Sequence, residues 1–263
     1  MRVYVEGVGL LAPGLQGWPA GAAVLAGNIP YLPAPTVVPT SDLLPAAERR
    51  RAGLPVKLAL AAGQEAFAHA LRDPASAATV FTSSSGDGEN LHRICESLAA
   101  AEREISPTRF HNSVHNAPAG YWSIAVGARE ASTSLCGHDA SFAVGLIDAA
   151  SQVAAEQAVV ALIACDQPYP EPLHGVRPIA ASVAIGLVLV PQATPRTFAT
   201  LDISLVPAGG GFTRMDETQL EALRAAVPTA RGLALLAALA RGTATVDLEY
   251  VGALRVRVAV APC

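Results

Sequence analysis

Two stretches of this chain contain almost nothing that water hydrates well: Ala158–Cys165 (AVVALIAC) and Ala181–Val190 (ASVAIGLVLV). A strand with one wet face alternates apolar and polar residues, so runs like these predict strands covered on both faces. Val3–Leu11 is a third such run and Ala77–Thr82 a fourth. Between and after them the apolar spacing changes to that of helices over Lys57–Leu71, Asn90–Ala101, Ala117–Val126 and Ala140–Gln157. Alternating strands and helices predict an α/β fold with a mainly parallel sheet packed on both sides.

Elsewhere the pattern is weaker. Gly14–Pro55 is rich in Pro and Gly and predicts only one short helix, Trp18–Leu25. Beyond Pro191, a strand is expected over Phe198–Val206, helices over Glu217–Ala226 and Gly232–Arg241, and one or two strands within Val246–Val260. Two sequential β/α halves of unequal completeness fit this order better than one uniform repeat.

Composition narrows the functional classes. Of 263 residues, 51% are hydrophobic and 15% charged, against roughly 25% charged in ordinary soluble domains. So little charge predicts an apolar face buried against a partner subunit. The net charge of −4, with no basic block beyond Arg49-Arg50-Arg51, argues against nucleic acid. The opening VYVEGVGLLAP is too short and interrupted for a signal peptide, and no later run suits a membrane span. Cys95, Cys136, Cys165 and Cys263 are scattered and form no CxxC pair, so neither a disulfide framework nor zinc is expected, and a reducing cytoplasm is.

The chemistry centres on Ile105–Ala150. Ser134-Leu135-Cys136 reads as a strand end, Gly137-His138-Asp139 as a tight turn, and a helix follows through Phe142, Leu146 and Ala149. Such an elbow presents its turn residue to a cleft, with the free N–H groups of the helix behind it. Asp139 is also a favoured helix N-cap, and capping is its expected role. His111, His115 and His138 lie close in sequence, but no Cys pair or Glu-x-x-His accompanies them, so polar lining of an interface is preferred to a metal site. Ser83–Gly88 lacks the GK[ST] ending of a phosphate cradle and reads as a strand-end loop.

These motifs together resemble the β-ketoacyl synthase branch of the thiolase fold. Val5-Glu6-Gly7-Val8-Gly9-Leu10-Leu11-Ala12-Pro13 is similar to the opening strand of that family, and Arg49–Arg51 followed by Lys57–Ala62 to its basic-then-helical segment. From Ile105 on, Ser106-Pro107, Asn116-Ala117, Ala119-Gly120, Ile124, Gly127 and Arg129 fall in step without a gap. The resemblance implies an αβαβα-layered fold with a complete N-terminal half, residues 1–192, and a reduced C-terminal half, residues 193–263, packed as one unit. It also puts Asp139 in the slot of the nucleophilic cysteine: the family's Thr-Ala-Cys-Ala-Ser is here Gly137-His138-Asp139-Ala140-Ser141. Cys136 lies three residues early, and no histidine follows His174 to serve decarboxylation.

Claisen condensation needs a thiolate to carry the acyl chain and donors to stabilise an enolate. The closest resemblance is therefore to the chain-length-factor type, which pairs with an active ketosynthase in type II polyketide and aryl-polyene synthesis. His115-Asn116-Ala117-Pro118-Ala119-Gly120-Tyr121-Trp122 is similar to the short form of that type. By the same resemblance Phe110, His111, Asn112, Val114, His115 and Asn116 border the partner's acyl tunnel, and Phe110, Val114 and Phe142 limit acyl length. The implied partners are an active ketosynthase and, through it, an acyl carrier protein; no cofactor or metal is implied. Two readings compete: an enzyme built on Cys136 or on His138 and Asp139, and a homodimeric scaffold without a ketosynthase.

Overall fold

The N-terminal strand ends up in the middle of the molecule, and the rest of the chain is laid down on either side of it. The computed structural model describes residues 1–263. Strand β1 (Arg2–Ala12) turns through β2 (Leu15–Gln16) into α1 (Trp18–Leu25); α2 (Ala46–Arg51) leads to the long α3 (Leu54–Ala70), β3 (Ala78–Thr82) and α4 (Gly88–Ala99). Helices α5 (Pro107–His111) and α6 (Ala117–Val126) precede β4 (Ser132–Leu135), α7 (Ser141–Glu156) and β5 (Val160–Asp166). After the one-turn α8 (Leu173–Val176) come β6 (Val183–Val190) and β7 (Ala199–Pro207). Helices α9 (Thr218–Ala226) and α10 (Leu233–Arg241) and strands β8 (Ala244–Glu249) and β9 (Leu254–Pro262) complete the chain.

All nine strands join one sheet, in the order β4-β3-β5-β6-β1-β7-β9-β8, with β2 attached to β1. Only β3 with β4 and β3 with β5 are parallel; β5–β6, β6–β1, β1–β7, β7–β9 and β9–β8 are antiparallel. The expected mainly parallel sheet is thus corrected to a mixed one. The reason lies in the connections: the crossing from β5 to β6 is Pro-rich and holds only the one-turn α8, whereas a parallel return takes a full crossover helix. The short α2 is a second correction, because Arg49-Arg50-Arg51 ends a helix rather than lying in loop. No helix is long and apolar enough to cross a membrane.

The uninterrupted apolar runs are explained by the two cores. Val160, Leu162 and Ala164 of β5 pack toward α7 and α10, while Ala161, Ile163 and Cys165 pack toward α3 and α6. β6 divides the same way, with Ile185, Leu187 and Leu189 on the α7 side and Ala184 and Val188 on the α3 side. Helix α3 lies unusually close to the sheet: a Cβ on Gly9 would sit 2.0 Å from the Ala62 carbonyl oxygen, and one on Gly186 2.5 Å from the same atom. Side chains of α3 also complete β1 where it lacks a neighbouring strand. The Leu10 N–H donates to Glu65 Oε2 at 2.8 Å and the Val8 N–H to His69 Nδ1 at 3.0 Å, and Glu65 Oε1 takes the Trp18 N–H as well. Glu6, buried at the bulge of β1, is held by Arg72 and Thr194.

Residues 193–263 add β7, β8 and β9 to the sheet beyond β1 and contribute α10 to the α7 core. The two ends of the parallel segment therefore meet different neighbours. Its free edge is β4, while its C-terminal ends open toward the elbow and the turn before α10.

Candidate functional site

The parallel strands β4, β3 and β5 end side by side, at Leu135, Thr82 and Asp166, and the loops leaving them build one polar cluster. Beyond β4 the chain makes the elbow. His138 has φ of 54°, in the left-handed region that a non-glycine residue occupies only under constraint. A one-turn 3₁₀ helix, His138–Ala140, then delivers the chain into α7. Ser141, fully buried, ties the turn down: its Oγ accepts from the Gly137 N–H at 3.0 Å and donates to the His138 carbonyl at 2.7 Å.

Asp139 does not cap α7, contrary to the expectation from sequence. The N-cap is Ala140, with no side-chain cap bond, and the Asp139 carboxylate turns toward two arginines. Arg177 Nη2 donates to Oδ1 at 2.8 Å, and Arg231 Nη2 lies 3.1 Å from Oδ2. A capping carboxylate would meet only neutral backbone N–H groups, whereas here each oxygen meets a full guanidinium charge, so the arginines win. Burial opposes charge on Asp139, but the Arg177 hydrogen bond and the Arg231 and Arg177 charges hold its carboxyl below the usual range. Arg177 also donates to Ser84 Oγ at 2.6 Å and to His138 Nε2 at 2.7 Å. Accepting at Nε2 requires His138 to carry its proton on Nδ1, the nitrogen 3.6 Å from Asp139. Arg231 pairs in turn with Glu249 on β8.

A second carboxylate lies one layer deeper. Asp166, at the end of β5, accepts from the Ser84 N–H at 2.8 Å, the Thr229 N–H at 2.8 Å and Thr229 Oγ1 at 2.7 Å. Burial pushes its carboxyl up to about 6 despite these bonds. Thr229 and Arg231 belong to the same turn before α10, so two carboxylates of the first half grip one turn of the second.

The other residues picked out from sequence are dispersed. Cys136 is exposed, and its thiol donates to the Ser84 carbonyl. His111 packs edge-on against Tyr121, His115 bonds Ser83, and His138 joins Arg177, so the three histidines go to three places. Asn112 is buried, donating to the Arg51 carbonyl and accepting from Tyr121. Phe110 and Val114 are exposed, at 68% and 52%, and Asn116 is exposed at the start of α6. Phe142 is fully buried, and a Cβ on Gly232 would lie 2.6 Å from its ring. Segment Phe110–Asn116 begins within the last turn of α5.

Sequence reasoning missed Arg177, Arg231, Asp166 and Thr229. One signal was available for the first: Arg177 is the only Asp, Glu, Lys or Arg between Glu171 and Arg196. A lone cation in such a stretch must find a counter-charge elsewhere in the fold.

Comparison with known proteins agrees with this architecture of parallel strands, elbow and helix. Residues 25–250 match the family model described as β-ketoacyl synthase, N-terminal domain. The chain belongs to the β-ketoacyl synthase family. No curated protein sequence matches it. Among solved structures it is similar to a chain of the ketosynthase ApeO in complex with its chain length factor ApeC from Xenorhabdus doucetiae, with TM-score 0.74, 22% identity, and 98% of this chain and 99% of that one covered. It is likewise similar to the AntDE:AntF assembly, a type II acyl-carrier protein in complex with its ketosynthase, at TM-score 0.77 and 11% identity over 100% and 99% of the two chains. The ishigamide ketosynthase/chain length factor gives TM-score 0.69 and 18% identity over 100% and 99%. The fold is accordingly the thiolase-like α/β fold of ketosynthases. Within it, the turn between β4 and α7 carries an ion-paired aspartate.

Proposed function

We propose that this protein is a chain-length-factor-type subunit, one that does not itself perform condensation but pairs with an active β-ketoacyl synthase and shapes its acyl tunnel. The observation that carries the reading is the state of Asp139. Its two oxygens are bound by Arg177 and Arg231, so the slot for the acyl-carrying thiolate is filled by a neutralised carboxylate. No thiol stands in the turn, and no histidine follows His174 to assist one.

The pairing surface we assign to the free edge of β4. That strand bonds only β3, leaving its outer backbone groups open to a partner strand. Exposed Phe110 and Val114 precede α6, and exposed Ile124 lies on it, beside this edge. With the low charge content, these support an apolar interface with a ketosynthase. His111, His115 and Asn116 add polar groups to it, Asn112 braces the segment from inside, and Phe142 closes the interior behind the elbow. Within the chain we divide the ketosynthase-like half, residues 1–192, from the reduced half, 193–263. An acyl carrier protein would be met through the complex, and aryl-polyene or related polyketide elongation in the cytoplasm is the setting we infer; all four cysteines are free.

Co-expression with a β-ketoacyl synthase encoded in the same gene neighbourhood tests the reading. The two chains should co-purify, and Ser134→Pro, which removes an edge N–H and blocks strand addition, should separate them while the isolated variant still folds. Undiminished co-purification of Ser134→Pro would move the interface elsewhere. Malonyl-thioester condensation by this chain alone, abolished by Cys136→Ala, would instead establish the independent enzyme.

A further inference from the structure

The backbone of Ser83 and Ser84 is tied to the elbow, with Ser141 Oγ donating to the Ser83 carbonyl at 3.1 Å, but the Ser83 side chain turns the other way and meets His115 on the α3 side of the sheet. Ser83 Oγ lies 3.3 Å from His115 Nε2, and the Gly86 N–H donates to the same Oγ at 2.9 Å. The hydroxyl thus has a donor already on its oxygen and a ring nitrogen within reach of its proton. That is the relation of a nucleophile to its general base, and the donor from Gly86 favours build-up of negative charge on Oγ. Ser83 is buried while His115 is exposed, which puts the nucleophile inside and the base at the entrance.

A cavity opens beside the pair. It is walled by Pro55, Val56, Phe81, Val114 and Ile163, with about 20 Å³ of interior space, room for one water-sized group. Gly53, Asp87 and Asn112, which also line it, border a neighbouring polar groove of about 610 Å³. The narrow apolar end suits a methyl or similarly short acyl tail, and the groove leaves space for the group that carries it.

We propose that Ser83 and His115 form a catalytic dyad that hydrolyses short acyl esters or thioesters in the cavity on the α3 side of the sheet. Ser83 Oγ attacks the carbonyl carbon and His115 Nε2 takes the hydroxyl proton. The bond from carbonyl carbon to the leaving sulfur or oxygen then breaks, and the leaving group takes that proton from His115. Water, giving up a proton to His115 in turn, cleaves the acyl-Ser83 ester to release the carboxylic acid and restore the hydroxyl. No oxidant, reductant or metal enters the balance. The dyad does not rest on the pairing reading, and its test uses this chain alone.

The purified chain is treated with a fluorophosphonate probe and mapped by peptide mass, and p-nitrophenyl acetate and p-nitrophenyl decanoate hydrolysis are measured in parallel. A single adduct on Ser83 is expected, with acetate hydrolysed in preference to decanoate and both signals lost in Ser83→Ala. Because Ser83 also anchors the Gly86 turn, His115→Gln is the second variant. It leaves that bond in place and should slow labelling at least 100-fold, the scale of a general base, while flattening the pH dependence of labelling. A folded wild-type chain that gives no adduct on Ser83, or labelling unchanged in His115→Gln, overturns the proposal.

Discussion

Replacing Asp139 by alanine probes the elbow directly. The substitution takes away the carboxylate between Arg177 and Arg231, whose side chains are only 23% and 15% exposed. Neither guanidinium can turn fully into water without dismantling its surroundings. A hydrogen bond between charged partners is worth about 1.5–3 kcal/mol, and two lost bonds sum to roughly twice that. The sum is too large here. Asp139 is itself 38% exposed, so solvent screens the pairs, and Arg231 keeps Glu249 while Arg177 keeps Ser84 and His138. About 2–3 kcal/mol remains, which for a chain of this size corresponds to a melting temperature lowered by roughly 4–10 °C. Asp139→Asn, retaining one acceptor oxygen, should lose about half as much. Thermal and urea melts on the three proteins decide the matter. A loss below about 0.5 kcal/mol in Asp139→Ala, the range of an ordinary surface substitution, would refute the argument that this carboxylate joins the two halves.

Further outcomes follow from the same geometry. Asp139→Cys places a thiol between two arginines, so iodoacetamide should trap it readily at neutral pH; because no histidine follows His174, a malonyl-thioester assay should still show no condensation. Asp166 has its carboxyl raised by burial to about 6. Its charged form is the one folding disfavours, so its stabilising contribution is complete below an unfolded value near 3.9 and fades as pH rises through 6. Relative to Asp166→Asn, the wild type should therefore gain about 2 kcal/mol between pH 7 and pH 4, read from urea melts; a pH-independent difference would show that Asp166 keeps an ordinary carboxylate. Glu65→Ala strands the N–H groups of Leu10 and Trp18 and should cost about 2–4 kcal/mol in chemical melts. Gly9→Ala drives a Cβ into the backbone of α3 at Ala62, and should leave the chain insoluble on expression, where Gly27→Ala, with nothing within 4 Å of its Cβ, stays soluble despite its positive φ.

What was legible in the sequence was what local pattern controls. Val3–Leu11, Ala77–Thr82, Ala158–Cys165 and Ala181–Val190 announce buried strands because both their faces are apolar, and Ala117–Val126 and Ala140–Gln157 announce helices by spacing. The direction of pairing was not legible, since it depends on whether a crossing can carry a helix, and the β5–β6 crossing, with its prolines, carries only one turn. The position of Asp139 came from family register, but its role did not. A cap is a contact within a few residues, whereas Arg177 and Arg231 come from the far crossing and from the second half, and no local pattern reports that they arrive together. Asp166 escaped notice for the same reason: it reads as the polar end of a strand until Ser84 and Thr229 are folded against it. The Ser83–His115 contact likewise joins two loops that separately look ordinary.

The most direct test of the pairing account is the native mass of this protein co-expressed with a β-ketoacyl synthase of its gene neighbourhood. The account predicts one species with the summed mass of one copy of each chain, which disappears when Ser134→Pro is introduced. Separate masses for the two chains, with this one persisting as a monomer or pairing only with itself, would contradict it.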